Sequence, residues 1–156
     1  MTLRAKVLTV SDGVVAGTRE DRSGAALAAR LEECGYEVVA RAVTADGVDE
    51  VAGVLVEMTE GFAGLLVTTG GTGFAPRDLT PEGTARVLDR TAPGLAEATR
   101  LVNPKGRLSR GQAGTRGRCI VVNLPGSSAG AVEGLDAIVD VLPHALALLA
   151  EEPTSH

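Results

Sequence analysis

The chain has few aromatic residues, and this scarcity argues against nucleic acid as a partner. Aromatics make up 2% of its 156 residues, tryptophan is absent, and the aromatic side chains are Tyr36, Phe62 and Phe74. Proteins that hold single-stranded nucleic acid stack the bases on several aromatic rings. A net charge of −5 also opposes binding along a phosphate backbone. We therefore expect no nucleic-acid partner.

Long hydrophobic runs and cysteine pairs are missing as well. The apolar stretches are short and broken by Gly, Asp or Arg, whereas a membrane span needs about 20 apolar residues. No secretory hydrophobic region lies before Ser11, so we expect a cytoplasmic protein without membrane contact. Cys34 and Cys119 lack any metal-ligand or redox spacing and are expected to be small buried hydrophobic residues.

Short apolar runs alternate with helical patterns along the whole chain. Runs rich in β-branched residues predict strands, and apolar residues at spacings of three and four predict helices between them. This alternation predicts one three-layer α/β/α domain over residues 1–156 with a mainly parallel sheet. The predicted strands cover 7–10, 36–43, 65–69 and 119–124, and the predicted helices cover 23–34, 47–61, 94–102, a segment from 80, and 129–150 with a break at Pro143.

Helix caps and loops are predicted from local residue types. Ser23 is expected to cap the first helix, and Gly35 to end it. Thr80, followed by Pro81 and Glu82, is expected to cap another. Two segments, 12–22 and the basic stretch 103–118, are expected to be loops.

A glycine-rich loop follows the predicted strand 65–69 and is the most informative motif. Residues 68–81 read Thr-Thr-Gly-Gly-Thr-Gly-Phe-Ala-Pro-Arg-Asp-Leu-Thr-Pro, so glycines and hydroxyls replace large side chains. Such a loop lets backbone N–H groups approach an anion, and Asp78 at its far end is the hard oxygen ligand that a magnesium-bound phosphate needs. The motif predicts a phosphate site with a carboxylate. A tight turn without a ligand is the simpler alternative.

Two other special segments follow predicted strands, at residues 11–13 and 123–127. Ligands of parallel sheets bind at the carboxyl ends of the strands. We therefore expect the segments Ser11-Asp12-Gly13 and Asn123-Leu124-Pro125-Gly126-Ser127 to share one site with the glycine-rich loop.

Known motifs that resemble parts of the chain fit poorly. The loop has proline where a dinucleotide-binding fingerprint needs a small residue, and no Walker A motif is present. Residues 126–130 match the Gly-x-Ser-x-Gly nucleophile elbow around Ser128. The acids and histidines after Ser128, including His144 and His156, fall in the terminal helices or tail, where they are not expected to complete a triad. A phosphate-accepting helix N-terminus explains this segment better.

Two features keep two interpretations each. Asp46 either caps the helix after it or belongs to the site. The basic residues of segment 103–118 either form a solvated flap or subunit contact, or reach over bound phosphates. These residues are Lys105, Arg107, Arg110, Arg116 and Arg118.

The chain resembles the MogA/MoaB family of molybdenum-cofactor biosynthesis proteins over nearly its whole length. The segment Thr-Thr-Gly-Gly-Thr-Gly followed by Arg-Asp-Leu-Thr-Pro is highly specific for that family. The residues that carry the resemblance are Thr9-Val10-Ser11-Asp12, Asp21-Arg22-Ser23-Gly24, 68–81, Pro93-Gly94, Leu108-Ser109-Arg110-Gly111 and Asn123-Leu124-Pro125-Gly126-Ser127.

The resemblance implies a molybdopterin adenylyltransferase, in which AMP passes from ATP to the terminal phosphate of molybdopterin and pyrophosphate is released. It implies Mg²⁺, a homotrimer, a partner protein for metal insertion, and catalytic, metal-binding roles for Asp46 and Asp78. A non-catalytic molybdopterin-binding or trimeric scaffold protein is the alternative. The residues expected to bind substrate are Ser11, Asp12, Thr69, Gly70, Gly71, Thr72, Gly73, Thr80, Asn123, Pro125, Gly126 and Ser127.

One position departs from the family pattern. Family members commonly carry a lysine shortly after the Pro-Gly of the last strand, and Ala129 stands at the corresponding place here. Lys105 or Arg110 is expected to supply the missing positive charge.

Overall fold

The strands form one sheet in the computed structural model, which describes residues 2–154. Within this range, six strands lie in the order β2-β1-β3-β6-β5-β4. The first four in that order are parallel, and β5 runs antiparallel to both β6 and β4. The strands are β1 (Arg4–Val10), β2 (Glu37–Thr44), β3 (Gly64–Thr69), β4 (Arg90–Thr91), β5 (Ala113–Arg116) and β6 (Cys119–Leu124).

Helices cover both faces of the sheet. One face packs Leu27, Leu135 and Leu142 against β1, β3 and β6, and the other packs Val51 and Leu55 against the same strands. The predicted three-layer α/β/α arrangement with a mainly parallel sheet is confirmed. The helices are α1 (Asp12–Val15), α2 (Arg22–Glu33), α3 (Val48–Thr59), α4 (Thr80–Val87), α5 (Pro93–Leu101), a 3-10 helix (Pro104–Leu108), α6 (Ser128–Asp136) and α7 (Leu142–Leu149).

The chain order places a crevice at the carboxyl ends of β1 and β3. From β1 the chain crosses to β2 on one side, and it then returns to β3 on the other side. Ligands in open α/β sheets bind at such a reversal of strand order. The topology therefore brings the segment after β1 beside the glycine-rich loop after β3.

Two segments predicted as loops contain regular structure. Residues 12–15 form α1, whose first turn is capped by the hydroxyl of Ser11, which accepts a hydrogen bond from the N–H of Val14 at 3.2 Å. The basic segment holds the 3-10 helix and β5, which pairs with both β4 and β6. Strands of two and four residues are too short to show a periodic pattern, so the sequence analysis missed them.

Both predicted hydroxyl caps are wrong. Asp21 caps α2, because its carboxylate accepts the N–H of Gly24 at 3.0 Å, while Ser23 lies inside the helix. Thr80 is the first residue of α4 and is buried, and its hydroxyl donates instead to the carbonyl of Gly70 at 2.9 Å. Gly35, with φ +91°, follows the end of α2 as predicted.

Neither cysteine pairs in the described structure. Cys119 is fully buried in β6, and burial raises the pKa of its thiol to about 12, so it is protonated at neutral pH. Cys34 is half-buried and packs against the core, as expected.

No helix in residues 2–154 has the length and apolar character that crossing a membrane requires.

Candidate functional site

A cleft of about 1250 Å³ opens at the carboxyl ends of β1, β3 and β6. Its floor is built from the segments that follow these strands, so the predicted convergence of the three segments is what the fold produces. The predicted site residues that line the cleft are Ser11, Asp46, Thr69, Gly70, Gly71, Thr72, Gly73, Asp78, Pro125, Gly126 and Ser127.

The glycine-rich loop lies directly over the end of β1, and only glycine fits there. Gly70 and Gly71 have φ values of +102° and +67°, which side chains with a Cβ rarely adopt. A Cβ on Gly70 would also overlap the carbonyl oxygen of Val10, and one on Gly71 would overlap the hydroxyl of Thr80. The loop therefore needs glycine at both positions for backbone angle and for space.

The carbonyl groups of residues 70–73 in this loop all accept hydrogen bonds from protein donors. Thr80 donates from its hydroxyl to Gly70 O at 2.9 Å and from its N–H to Gly71 O at 3.1 Å. Arg110 donates from its N–H to Thr72 O and from Nε to Gly73 O, both at 2.8 Å. Four successive carbonyl oxygens are thus held away from any anion that enters the cleft.

The N–H groups of the same loop are mostly free. Gly70 N–H donates to Leu124 O at 3.1 Å, but the N–H groups of Gly71, Thr72 and Gly73 have no acceptor among residues 2–154. Three unpaired N–H groups on a cleft wall, with their carbonyls paired elsewhere, form the kind of backbone concavity that binds anions. This arrangement is the strongest feature of the site.

Two carboxylates flank the loop. Asp46 follows β2, and its Oδ2 accepts the N–H of Asp12 at 2.9 Å, so it does not cap α3; that alternative is wrong. Burial raises the pKa of Asp46, and the charges of Asp12 and Asp78 act in the same direction. Asp78 Oδ2 accepts the N–H of Ala75 at 2.9 Å.

Three predicted substrate-binding residues bind other parts of the protein and are not among the described residues that line the cleft. Asp12 binds Arg77, which lowers the pKa of its carboxyl group. Thr80 supports the glycine-rich loop from below. Asn123 is buried and donates to the hydroxyls of Thr68 and Thr84 at 3.0 Å. These contacts give each of the three a structural role, and substrate contact stays a prediction for them.

Replacing Asn123 with alanine should destabilise the fold. Its Oδ1 also accepts the N–H of Gln112 at 3.0 Å, so the change would leave two buried hydroxyls and one partly buried N–H without this partner. We expect a loss of about 3 kcal/mol in the free energy of unfolding, measured by urea denaturation. Asn103→Ala, at a half-exposed cap of the 3-10 helix, should cost about 1 kcal/mol. Unchanged stability with weakened pterin binding would contradict this structural role and favour substrate contact by Asn123.

The basic segment mostly supports the structure instead of facing the cleft. Arg110 binds Glu82 at 2.6 Å and the loop carbonyls, while Arg116 donates to Val87 O at 3.0 Å. Arg118 reaches Glu151. Of the five basic residues of this segment, Lys105 alone is among the described residues that line the cleft. Arg110 is therefore held by Glu82 and by backbone carbonyls. Lys105 is the remaining candidate to supply the positive charge of the family lysine.

The start of α6 forms another wall of the cleft. Ser127 caps this helix by accepting the N–H of Gly130 at 3.1 Å, and Ala129 lies in its first turn. A helix N-terminus of this kind attracts anions.

Ser128 also lines the cleft, whereas His144 lies in α7 away from it and His156 lies outside the described residues. The structure thus gives Ser128 no histidine base within residues 2–154.

Several cleft residues were not predicted, although some lay in motifs already quoted. Asp21 binds Thr9 at 2.8 Å and Arg41 at 3.0 Å, which fixes the start of α2 at the cleft edge. The motif Asp21-Arg22-Ser23-Gly24 indicated the family in the sequence, but it gave no role for the side chain of Asp21. The remaining unpredicted charged or amide residues of the cleft are Arg19, Glu20, Arg22, Asn103 and Glu133.

The donor set suits a cation that is shared with a phosphate. Among residues 2–154, no group of three or more His, Cys, Asp or Glu side chains could hold a metal ion by itself. Mg²⁺ commonly binds one or two carboxylates together with substrate phosphates and water. Asp46 and Asp78, whose charges interact across the loop, fit that pattern.

The fold and the cleft together define an α/β protein whose cleft is built around a glycine-rich loop with free N–H groups among residues 2–154. A family model described as "Probable molybdopterin binding domain" matches residues 6–144. The chain therefore belongs to this family of molybdenum cofactor biosynthesis proteins, and the resemblance seen in the sequence is confirmed.

Individual relatives agree with this membership. The chain is 36% identical to the molybdopterin adenylyltransferase of Helicobacter pylori J99, with 95% of this chain and 88% of the relative covered. It is 34% identical to the Gephyrin of Dictyostelium discoideum over 96% of its length, although it spans only 23% of that protein. The crystal structure of MoaB from Thermus thermophilus has a TM-score of 0.89 and 45% identity, with 98% and 99% of the two chains covered.

Proposed function

We propose that this chain is a molybdopterin adenylyltransferase that acts in the cytoplasm. The observation that carries the proposal is the glycine-rich loop between two carboxylates. Gly71, Thr72 and Gly73 line the cleft, their N–H groups have no acceptor among residues 2–154, and their carbonyls are all paired. The name of the H. pylori relative supports the same activity. The cleft volume of about 1250 Å³ exceeds the roughly 300–1000 Å³ of a typical single-ligand pocket, which leaves space for two substrates.

In the proposed reaction, an oxygen of the molybdopterin terminal phosphate forms a bond to the α-phosphorus of ATP. The bond from that phosphorus to the bridging oxygen breaks, and pyrophosphate leaves. Such reactions depend on positioning and on neutralising charge. The N–H groups of Gly71, Thr72 and Gly73 would bind phosphate oxygens as charge shifts onto the leaving group, and the N-terminus of α6 would stabilise a second phosphate.

The carboxylates of Asp46 and Asp78 are proposed to hold Mg²⁺ together with the substrate phosphates. When bound, the ion would neutralise phosphate charge during the transfer. The protein contributes by fixing these two oxygen ligands on either side of the loop. Asp78 is fixed by its hydrogen bond to Ala75, and Asp46 is fixed by Asp12.

Lys105 is proposed to bind ATP phosphates in place of the family lysine. Lys105→Ala should raise the KM for ATP by roughly 5- to 10-fold, because one exposed charge interaction is worth about 1 kcal/mol, and the effect should shrink at high salt. Arg107→Ala is the matched control, since Arg107 lies in the same 3-10 helix and donates to Pro104 O instead of lining the cleft. Equal effects of both changes would contradict a specific role for Lys105.

A non-catalytic molybdopterin-binding or scaffold protein is the second candidate. Ala129, in the cleft at the first turn of α6, favours it because this position offers no positive charge to a polyphosphate. The protein should be incubated with molybdopterin, ATP and Mg²⁺, and pyrophosphate and adenylylated molybdopterin measured. We expect both products; tight pterin binding without either product would favour the second candidate.

A homotrimer is proposed as the assembled form. Large apolar side chains stay exposed near the cleft, with Phe74 at 73%, Leu101 at 85% and Leu108 at 60% relative exposure. Exposed apolar residues of this size often mark interaction surfaces. Sedimentation equilibrium should give three times the chain mass of 15.9 kDa, and the mass of a single chain would contradict the proposal.

A further inference from the structure

Asp46 and Asp12 hold each other by a reciprocal pair of hydrogen bonds. The N–H of Asp12 donates to Asp46 Oδ2 at 2.9 Å, and the N–H of Asp46 donates to Asp12 Oδ1 at 3.1 Å. This pairing leaves the other carboxylate oxygen of Asp46 beside the glycine-rich loop, where it would lie 3.0 Å from a Cβ built on Gly71. The orientation of Asp46 therefore depends on the position of Asp12.

Arg77, at the far end of the glycine-rich loop, binds both partners of this pair. Its Nε donates to Asp12 Oδ2 at 2.6 Å, and one terminal nitrogen donates to Asp12 Oδ1 at 3.1 Å and to the carbonyl of Asp46 at 2.9 Å. The guanidinium thus joins the segments after β1, β2 and β3. Its planar set of donors suits such a three-way contact, which a lysine could not reproduce.

The charge of Arg77 also offsets a repulsion. Asp12 and Asp46 are both acidic and lie in direct contact, and Asp78 adds a third negative charge nearby. The side chains of Arg77 and Asp12 are 65% and 45% exposed, so their ion pair adds little to global stability. Arg77 is also not among the described residues that line the cleft.

We propose that Arg77 is a positioning residue that acts through Asp12 to hold Asp46 beside the glycine-rich loop. The proposal deepens the adenylyltransferase function and rests on it for its effect on turnover. The clamp, defined as Arg77, Asp12 and Asp46, orders the site before substrate binds, so its loss should affect the chemical step more than substrate affinity.

The first test separates positioning from substrate contact. Arg77→Ala should lower kcat by roughly 10- to 100-fold and change the KM for ATP by less than about twofold, because the change misorients Asp46 without removing a substrate ligand. Arg86→Ala is the matched control, since Arg86 forms a similar exposed ion pair with Asp49 on α3. A raised KM with unchanged kcat would overturn the proposal by making Arg77 a substrate contact.

The second test asks whether Arg77 works through Asp12. Asp12→Asn keeps an acceptor for the N–H of Asp46 but removes the charge that Arg77 binds, so it should also lower kcat. Because both changes break the same clamp, the double variant should be no worse than the more damaging single variant. Additive losses would overturn the proposal.

A third measurement does not depend on activity. Amide exchange measured by NMR should be faster at Asp12 and Asp46 in Arg77→Ala than in the parent protein or in Arg86→Ala, because those two N–H groups make the reciprocal bonds. If the parent protein forms no adenylylated product, the proposed function is contradicted. The amide-exchange measurement still tests the clamp in that case. Unchanged exchange at both residues would overturn the clamp, whatever the activity.

Discussion

Asp78→Asn should lower the rate of AMP transfer by about 10³-fold while leaving molybdopterin binding nearly unchanged. The substitution removes the charge proposed to hold Mg²⁺, and losing one such electrostatic contact typically costs 10²- to 10³-fold in rate. Asparagine keeps an oxygen that can accept the N–H of Ala75, so the loop conformation should survive. Pyrophosphate release measures the rate, and pterin binding is measured separately by titration.

The control for Asp78→Asn is Asp49→Asn. Asp49 lies in the first turn of α3, its side chain is 85% exposed, and it binds Arg86 outside the cleft. Removing this charge should change turnover by less than about twofold, because an exposed ion pair contributes little. An Asp78→Asn variant with parental activity would remove the metal-binding role assigned to Asp78.

Gly71→Ala should damage the glycine-rich loop that is proposed to bind phosphate. The new Cβ would overlap the hydroxyl of Thr80 and lie 3.0 Å from a carboxylate oxygen of Asp46, at a φ of +67° that alanine disfavours. We expect a loss of about 1–3 kcal/mol in the free energy of unfolding. Turnover should fall by about 10²-fold, since small displacements of catalytic groups have effects of that size. Thermal or urea unfolding and the pyrophosphate assay measure the two effects.

Gly53→Ala is the matched control for Gly71→Ala. Gly53 lies in the middle of α3, and a Cβ built there meets no atom within 4 Å. Alanine is favoured over glycine inside a helix by about 0.5–1 kcal/mol, so this variant should be slightly more stable and fully active. If Gly71→Ala behaved in the same way, the loop would not be the anion-binding element proposed here.

The buried part of the fold could be predicted from the sequence because its strands are continuous apolar runs. Residues 65–69 and 119–124, for example, became β3 and β6 and lie in the sheet centre. The two antiparallel strands β4 and β5 were missed because they are short, and β4 holds only exposed polar residues. β5 is placed by its pairing with β6, and β4 by its pairing with β5, and local sequence does not encode either contact.

Helix caps show how tertiary contacts decide between two local choices. Asp21 and Ser23 are both good capping residues, and Thr9 and Arg41, from β1 and β2, bind the carboxylate of Asp21. Thr80 has the local sequence of a cap, yet its hydroxyl bonds to Gly70 across the glycine-rich loop. These partners lie on other elements, so the local pattern could not reveal them.

The site was predicted as a convergence of strand ends, but the long-range contacts of its side chains were not predicted. The register of β3 and β6 places Thr68 opposite Asn123, and the buried amide of Asn123 donates to the hydroxyls of Thr68 and Thr84. Arg110 and Arg77 reach segments far away in sequence. Such long-range pairings require the folded sheet before they can be seen.

The most direct test of the central claim follows the isotope label of ATP into the products. The purified protein should be supplied with molybdopterin, Mg²⁺ and ATP labelled at either the α- or the γ-phosphorus. The account predicts that the α label appears in the pterin product and the γ label in pyrophosphate, because the pterin phosphate attacks the α-phosphorus. Recovery of the γ label on the pterin would contradict the account. So would a pterin that carries no label after incubation with α-labelled ATP.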